Sequence, residues 1–240
     1  MCVPEGNGLT PVPLVVFRAG HPEPAEDRRR MRSIIALGFA ALLAGCASTN
    51  ETAAVTAMGE ALSAVREHDL VRAKASAEHA LELRPGFVDP MMLLASIAEH
   101  SGDWEAARSQ YLNVLRSDPT DTAAGVALGV TYVREQRFAD AREWFTKAMT
   151  ADPGCEAAAY NLGSLNEQTE DLEAAAAWFD VAATLDQRDP RALVEIAKIR
   201  MEQARFQEAL AAADLAISRY PSSVGAQRVR SLALGALGRN

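Results

Sequence analysis

The most reactive side chains in the sequence are three cysteines, Cys2, Cys46 and Cys155, and four histidines, His21, His68, His79 and His100. Thiolates and imidazoles bind metals or act as nucleophiles only where spacing brings them together. Three scattered cysteines make neither a disulfide framework nor a paired-cysteine zinc site. The histidines show no HExxH spacing, and the chain has no P-loop or nucleophile elbow. Glu99 and His100 are neighbours, but spacing sets no serine, cysteine or metal ligand beside them. The expectation is a protein that is not an enzyme, with no cofactor, no metal and no small-molecule substrate.

Cys46 has a different setting. It ends the stretch Leu43-Ala44-Gly45-Cys46, after the apolar run Ile34–Ala44 and the basic flank Arg28-Arg29-Arg30. A positive flank, a short apolar run and small residues at its end describe a secretory signal. The run is too short for a membrane span, which takes about 20 apolar residues. Residues 1–30 carry five prolines and no helical period, so they read as a disordered, over-extended N-terminus with Met31 as the better start.

The four residues 43–46 resemble the lipobox of bacterial lipoproteins. The resemblance implies that residues 31–45 are a signal peptide, that Cys46 is lipidated, and that residues 46–53 are a lipidated tether. Several acyl chains, each contributing about 0.8 kcal/mol per buried CH₂, hold such a protein to a membrane. Ala47 and Ser48 follow the cysteine, and the absence of Asp there implies the outer membrane, facing the periplasm. Fully extended, the seven residues Ala47–Ala53 reach ~25 Å. Were the signal reading wrong, the chain would be a cytosolic adaptor.

Elements that could present a binding surface begin after this leader. Pro85, Pro119, Pro153 and Pro221 fall on a 34-residue ruler, with Gln187 on the remaining mark. Proline cannot donate a backbone hydrogen bond and disfavours helix in the residue before it, so each mark ends a helix. A period of this length signals helix-turn-helix repeats. The clearest unit, 122–155, contains Leu128-Gly129-x₂-Tyr132, Ala141-x₃-Phe145, Ala148 and Asp152-Pro153. It resembles the tetratricopeptide repeat, departing at Gly125 where that pattern has an aromatic residue.

Stepping by 34 places the other units at 54–87, 88–121, 156–189 and 190–223, giving five repeats over 54–223 and a cap helix over 224–240. Small residues recur in the first helix at Ala61, Ala95, Gly129, Gly163 and Ala197, facing Ala73, Ala107, Ala141, Ala175 and Ala209 in the second. They allow close helix approach, while Leu70, Trp104, Phe138, Leu172 and Phe206 fill the turn. Asp118, Asp152 and Asp186 precede the stop position, although a helix C-terminus disfavours an anion. The expected fold is all-α, and the resemblance implies a right-handed superhelical solenoid.

The tetratricopeptide resemblance also implies a concave groove lined by the first helices. Carried over to this sequence, its contact positions include Met58, Leu62, Val65, Met92, Val126, Val130, Val133, Arg134, Tyr160 and Asn161. Repeats one to three would offer an apolar stripe with a basic edge at Arg66 and Arg134. Such a groove suits an amphipathic helix or an extended apolar segment of a partner protein. Lys and Asn are missing from the positions that grip a free C-terminal carboxylate in some family members. Cys155, in the loop after Pro153, reads as a partly buried inert thiol, and Glu135 and Glu143 as residues of solvated faces.

Composition agrees with a protein ligand. The chain is 49% hydrophobic and carries a net charge of −8; without residues 1–45 it keeps 19 basic and 28 acidic residues. Such a surface gives nucleic acid little to bind and an anionic membrane little to attract. Signal, tether and repeats together resemble the pilotin-like lipoproteins of type IV pili and the repeat lipoprotein of tight-adherence pili. That implies a membrane-anchored envelope scaffold in pilus or secretion-system assembly. The alternative is a general periplasmic scaffold or chaperone-like factor unrelated to pili.

Overall fold

The computed structural model describes residues 49–239. The signal, Cys46 and Ala47–Ser48 lie outside the described residues. Eleven helices and no strand occur among the described residues. Helix α1 covers residues 49–66. It is followed by α2 (Leu70–Leu83), α3 (Val88–His100), α4 (Trp104–Ser117), α5 (Thr122–Arg134) and α6 (Phe138–Ala151). Then come α7 (Glu156–Gln168), α8 (Leu172–Leu185), α9 (Arg191–Glu202), α10 (Phe206–Arg219) and α11 (Val224–Ala236). The odd-numbered helix opens each repeat and the even-numbered helix closes it, so five pairs and a final helix form an all-α solenoid.

Two turns recur with the period. Within each pair, a residue in the left-handed region ends the first helix: His68, Gly102, Gln136, Glu170 and Ala204, with φ between +57° and +77°. The next residue but one starts the second helix, and its approach is fixed by a recurring backbone bond. Asp103 N–H donates to Ala98 O at 2.9 Å, Arg137 to Tyr132 at 2.9 Å and Asp171 to Asn166 at 2.9 Å. Asp69, Asp103 and Asp171 then cap α2, α4 and α8 through their carboxylates. Arg137 and Arg205 stand in that place before α6 and α10 and make no such bond.

Between pairs, the aspartates before the proline marks have a local task. Asp118 Oδ1 accepts from Thr120 N–H at 2.9 Å, Asp152 from Gly154 at 2.8 Å and Asp186 from Arg188 at 2.8 Å. Each side chain closes an Asx turn. That gain accounts for an anion at a helix C-terminus.

The core runs along the array in three clusters. Ala73, Ala107, Ala141, Ala175 and Ala209 are each 0% exposed. In repeats three and four glycine lies against a phenylalanine ring of the second helix. A Cβ on Gly129 would lie 2.4 Å from Phe145 Cε1, and one on Gly163 would lie 2.7 Å from Phe179 Cδ1. Repeats one and five place alanine at both positions instead, Ala61 with Ala77 and Ala197 with Ala213, all fully buried. In repeats three and four a ring on one helix is thus matched by a missing methyl on the other, whereas repeat two combines Tyr111 with Ala95, both buried.

One boundary differs from the sequence reading. The expected tether Ala47–Ala53 is helical from residue 49 onward. Glu51 pairs with Arg84 at 3.4 Å, tying this first turn to the end of α2. Those five residues rise about 7.5 Å as helix, where an extended chain would span ~17 Å.

Candidate partner-binding groove

The first helices of successive pairs stack side by side: α5 touches α7, and α9 touches α11. Residues that point away from the second helices therefore form one surface along the array. The sequence reading assigned partner contacts to this surface. The structure distributes them unevenly.

In repeats one to three, two depressions adjoin. The first is lined by Val65, His68, Leu70, Leu93, Ser96, Ile97 and His100, with a volume of about 370 Å³. The second is lined by Ser96, Glu99, His100, Trp104, Val130 and Arg134, with a volume of about 410 Å³. Ser96 and His100 belong to both. Val65, Val130 and Arg134 are thus brought to one site. Leu62 is 47% exposed on the same helix as Val65. Arg66 and Arg134 are exposed and form no ion pair with any described residue.

Other assigned residues are placed differently. Met58 is 8% exposed and packs with Ala57, Ala61, Ala77 and Leu94 in the N-terminal core, so it offers no partner contact. Its long flexible side chain fills space left by small neighbours. Met92, Val126 and Val133 are half-buried against the central core and line neither depression. Tyr160 stands edge-on to Phe179, with ring centres 5.2 Å apart, and the Arg191 guanidinium lies 5.1 Å from its ring centre. Asn161 donates its amide to Ala157 O at 2.7 Å, within its own helix. Tyr160 and Asn161 are therefore occupied with internal contacts.

The charges of the surface change sign along the array. Glu99, in the second depression, accepts from Thr131 Oγ1 at 2.9 Å, and Thr131 is fully buried. Burial, and then Glu99, push the Tyr111 hydroxyl well above its ordinary pKa, so it remains a proton donor. Further along, burial and then Glu195 raise the Glu167 carboxyl; Lys198 opposes the shift and Glu202 adds to it. Repeats four and five thus present crowded carboxylates, while repeats one to three present unpaired guanidinium groups.

Sequence reasoning did not find the roles of His68, Trp104 and Ile97, because they come from turns and from flanks of the assigned positions. Glu135, expected on a solvated face, is 19% exposed at its side chain and ion-paired with Arg108 of the preceding repeat. Its partner is 27 residues away, a separation outside both the helical and the repeat period. Glu143 is exposed and pairs with Lys147 at 2.7 Å. Cys155 is the N-cap residue of α7, partly buried, and its side chain makes no capping bond. Among the described residues, no cluster of His, Cys, Asp and Glu is placed to hold a metal ion, and no helix is long and apolar enough to cross a membrane.

Comparison with known proteins gives consistent results. Two sequence models described as tetratricopeptide repeat match residues 126–190 and residues 64–129, together more than half of the chain. No curated protein matches the sequence. Among solved structures, PilF of Pseudomonas aeruginosa is 18% identical, with a TM-score of 0.68, covering 79% of this chain and 86% of its own. PilW, described as a widely conserved type IV pilus biogenesis factor, is 22% identical with a TM-score of 0.65, covering 77% and 86%. The MamA protein is 25% identical with a TM-score of 0.54, covering 63% and 82%.

Proposed function

Because the chain belongs to the tetratricopeptide repeat family, whose members bind protein partners, we propose that it is a non-enzymatic scaffold of the bacterial cell envelope. It is anchored by lipid on Cys46, at the outer membrane and facing the periplasm. It holds apolar or amphipathic partner segments against the first helices of repeats one to three. The observation that carries this reading is the pair of adjoining depressions sharing Ser96 and His100, rimmed by Arg134. Apolar side chains there give affinity, and an unpaired guanidinium selects an acidic group on the ligand.

The leader motif supports the anchor, and the likeness to PilW supports a place in pilus or secretion-system assembly. Photocrosslinkers at Val65 and at Val130 in intact cells test the groove. Val130→Asp with Arg134→Glu is expected to cut crosslinking of the native partner from Val65 at least about tenfold, equivalent to ~1.4 kcal/mol. Unchanged crosslinking would sink the groove. Labelled palmitate tests the anchor, and incorporation that survives Cys46→Ala would remove it. A deletion strain with normal pili and secretin rings would remove the pilus assignment and leave the scaffold.

A further inference from the structure

The second helices of neighbouring repeats flank a groove at each junction, with the first helix between them as its floor. Three of these grooves are plugged by the protein's own side chains. Between repeats two and three the plug is Tyr132, 8% exposed, with the guanidinium groups of Arg108 and Arg137 at 5.7 Å and 4.5 Å from its ring centre. Between repeats three and four it is Asn166, 2% exposed, which accepts from Arg142 at 2.9 Å. Between repeats four and five it is Arg200, which donates to Glu173 at 2.9 Å and to Gln203 at 2.6 Å.

These plugs recur every 34 residues, and the member of the series at the first junction is Ala98. Two further positions shrink there. Ser101 stands where the later repeats carry Glu135, Thr169 and Gln203, and Gln110 where α6 and α8 carry Trp144 and Trp178. The missing side chains leave a groove of about 900 Å³ between α2 and α4, with Leu94, Ile97 and Ala98 of α3 among its lining. It follows α2 from Leu70 to Glu82, about 18 Å of helix, and Val71 on that helix is 83% exposed. Lys74, Glu78, Glu82 and Asp103 supply its charged groups, three carboxylates against one ammonium. Lys74 lies 4.0 Å from Glu78, Asp103 caps α4, and Glu82 forms no ion pair with any described residue.

We propose that this groove is a second docking site, which takes a partner protein helix. The helix places a large aromatic side chain over Ala98, where the other junctions place their own plugs. Lysine or arginine beside that side chain meets Glu78 and Glu82. The elongated form suits several turns of an amphipathic helix, and the acidic rim selects its basic flank. The groove meets the first concave depression at Leu70, Ile97 and His100, which line both, while Ala98 lines this groove alone.

The test selects binders to the full chain from a displayed library of random peptides several helical turns long. Ala98→Tyr, which restores the plug, enters only at the affinity measurement and not in the selection. Selected peptides are expected to be enriched in aromatic and basic residues. Their affinity by fluorescence anisotropy should fall at least tenfold with Ala98→Tyr and hold within twofold with Ala98→Ser and with Arg134→Ala. Glu78→Lys with Glu82→Lys should abolish the preference for basic peptides, which keeps the test valid if Ala98→Tyr misfolds. Binders insensitive to Ala98→Tyr, binders enriched in acidic residues, or sensitivity confined to an apolar dye or lipid vesicles would each overturn the proposal.

Discussion

At the scale of single residues, packing is set by pairs rather than by positions. Gly129 lies under the ring of Phe145, and the methyl of alanine would meet that ring at 2.4 Å. Gly129→Ala is expected to destabilise by about 1–3 kcal/mol, the usual cost of overpacking. Phe145→Ala alone opens a cavity and costs about 3–5 kcal/mol. The double variant recreates the Ala197–Ala213 pair, so urea unfolding should show a loss well below the sum of the two. Additive losses would contradict the pairing. Charge gives a second case. The Glu167 carboxyl is raised by burial and by Glu195, so its ionised form disfavours the fold. That penalty is absent below the unfolded-state value of about 4.3 and grows as pH rises through the folded value. Glu167→Gln is therefore expected to raise stability at pH 7 and to leave it unchanged near pH ~3. Equal effects at both would exclude the carboxylate as the cause. The alanine and glycine ladder was legible in the sequence, because small residues repeat on the ruler. The charge of Glu167 was not, because Glu195 belongs to the next repeat.

At the scale of elements, caps and turns decide how each helix begins. Asp121 caps α5 by accepting from Ala124 N–H at 2.9 Å, and Ser223 caps α11 from Ala226. Cys155 holds the equivalent place before α7 with no capping bond. Cys155→Asp should therefore raise the unfolding free energy by about 1 kcal/mol, as a gained N-cap does, and a thermal melt would show it. No gain would mean that the thiol packs better than its partial burial suggests. The proline marks showed where second helices end. They did not show the left-handed residues at His68, Gln136, Glu170 and Ala204, because these carry no glycine signal. Only Gly102 in that series looks like a turn residue. The others adopt the conformation because the turn between packed helices requires it, at a local cost of about 1–2 kcal/mol each.

At the scale of the whole molecule, the array is a chain of nearest-neighbour contacts, so its ends are its weak points. Helix α11 packs on repeat five at one end of the described array. Val229 and Ala226 are buried against repeat five, and Gly225 packs on Val194. Its other side carries Gln227, Arg230 and Ser231 where a further second helix would dock, and Arg230 bonds to Asp214 at 2.6 Å. Truncation after Ser223 should expose Val194, speeding amide exchange in α9 and α10 while α5 and α6 keep their protection. Uniform loss across all repeats would show an array that unfolds as one unit. The sequence by itself determined the repeat number, the pairing of helices and the all-α class. Those follow from a period and from residue size, both local properties of the chain. Only the tertiary structure decided which faces are free. It moved Met58 into the core, closed Tyr160 against Arg191 and Phe179, and opened the groove over Ala98. Each of these depends on what a neighbouring repeat places opposite the residue, and a pattern read along one strand of sequence does not contain that.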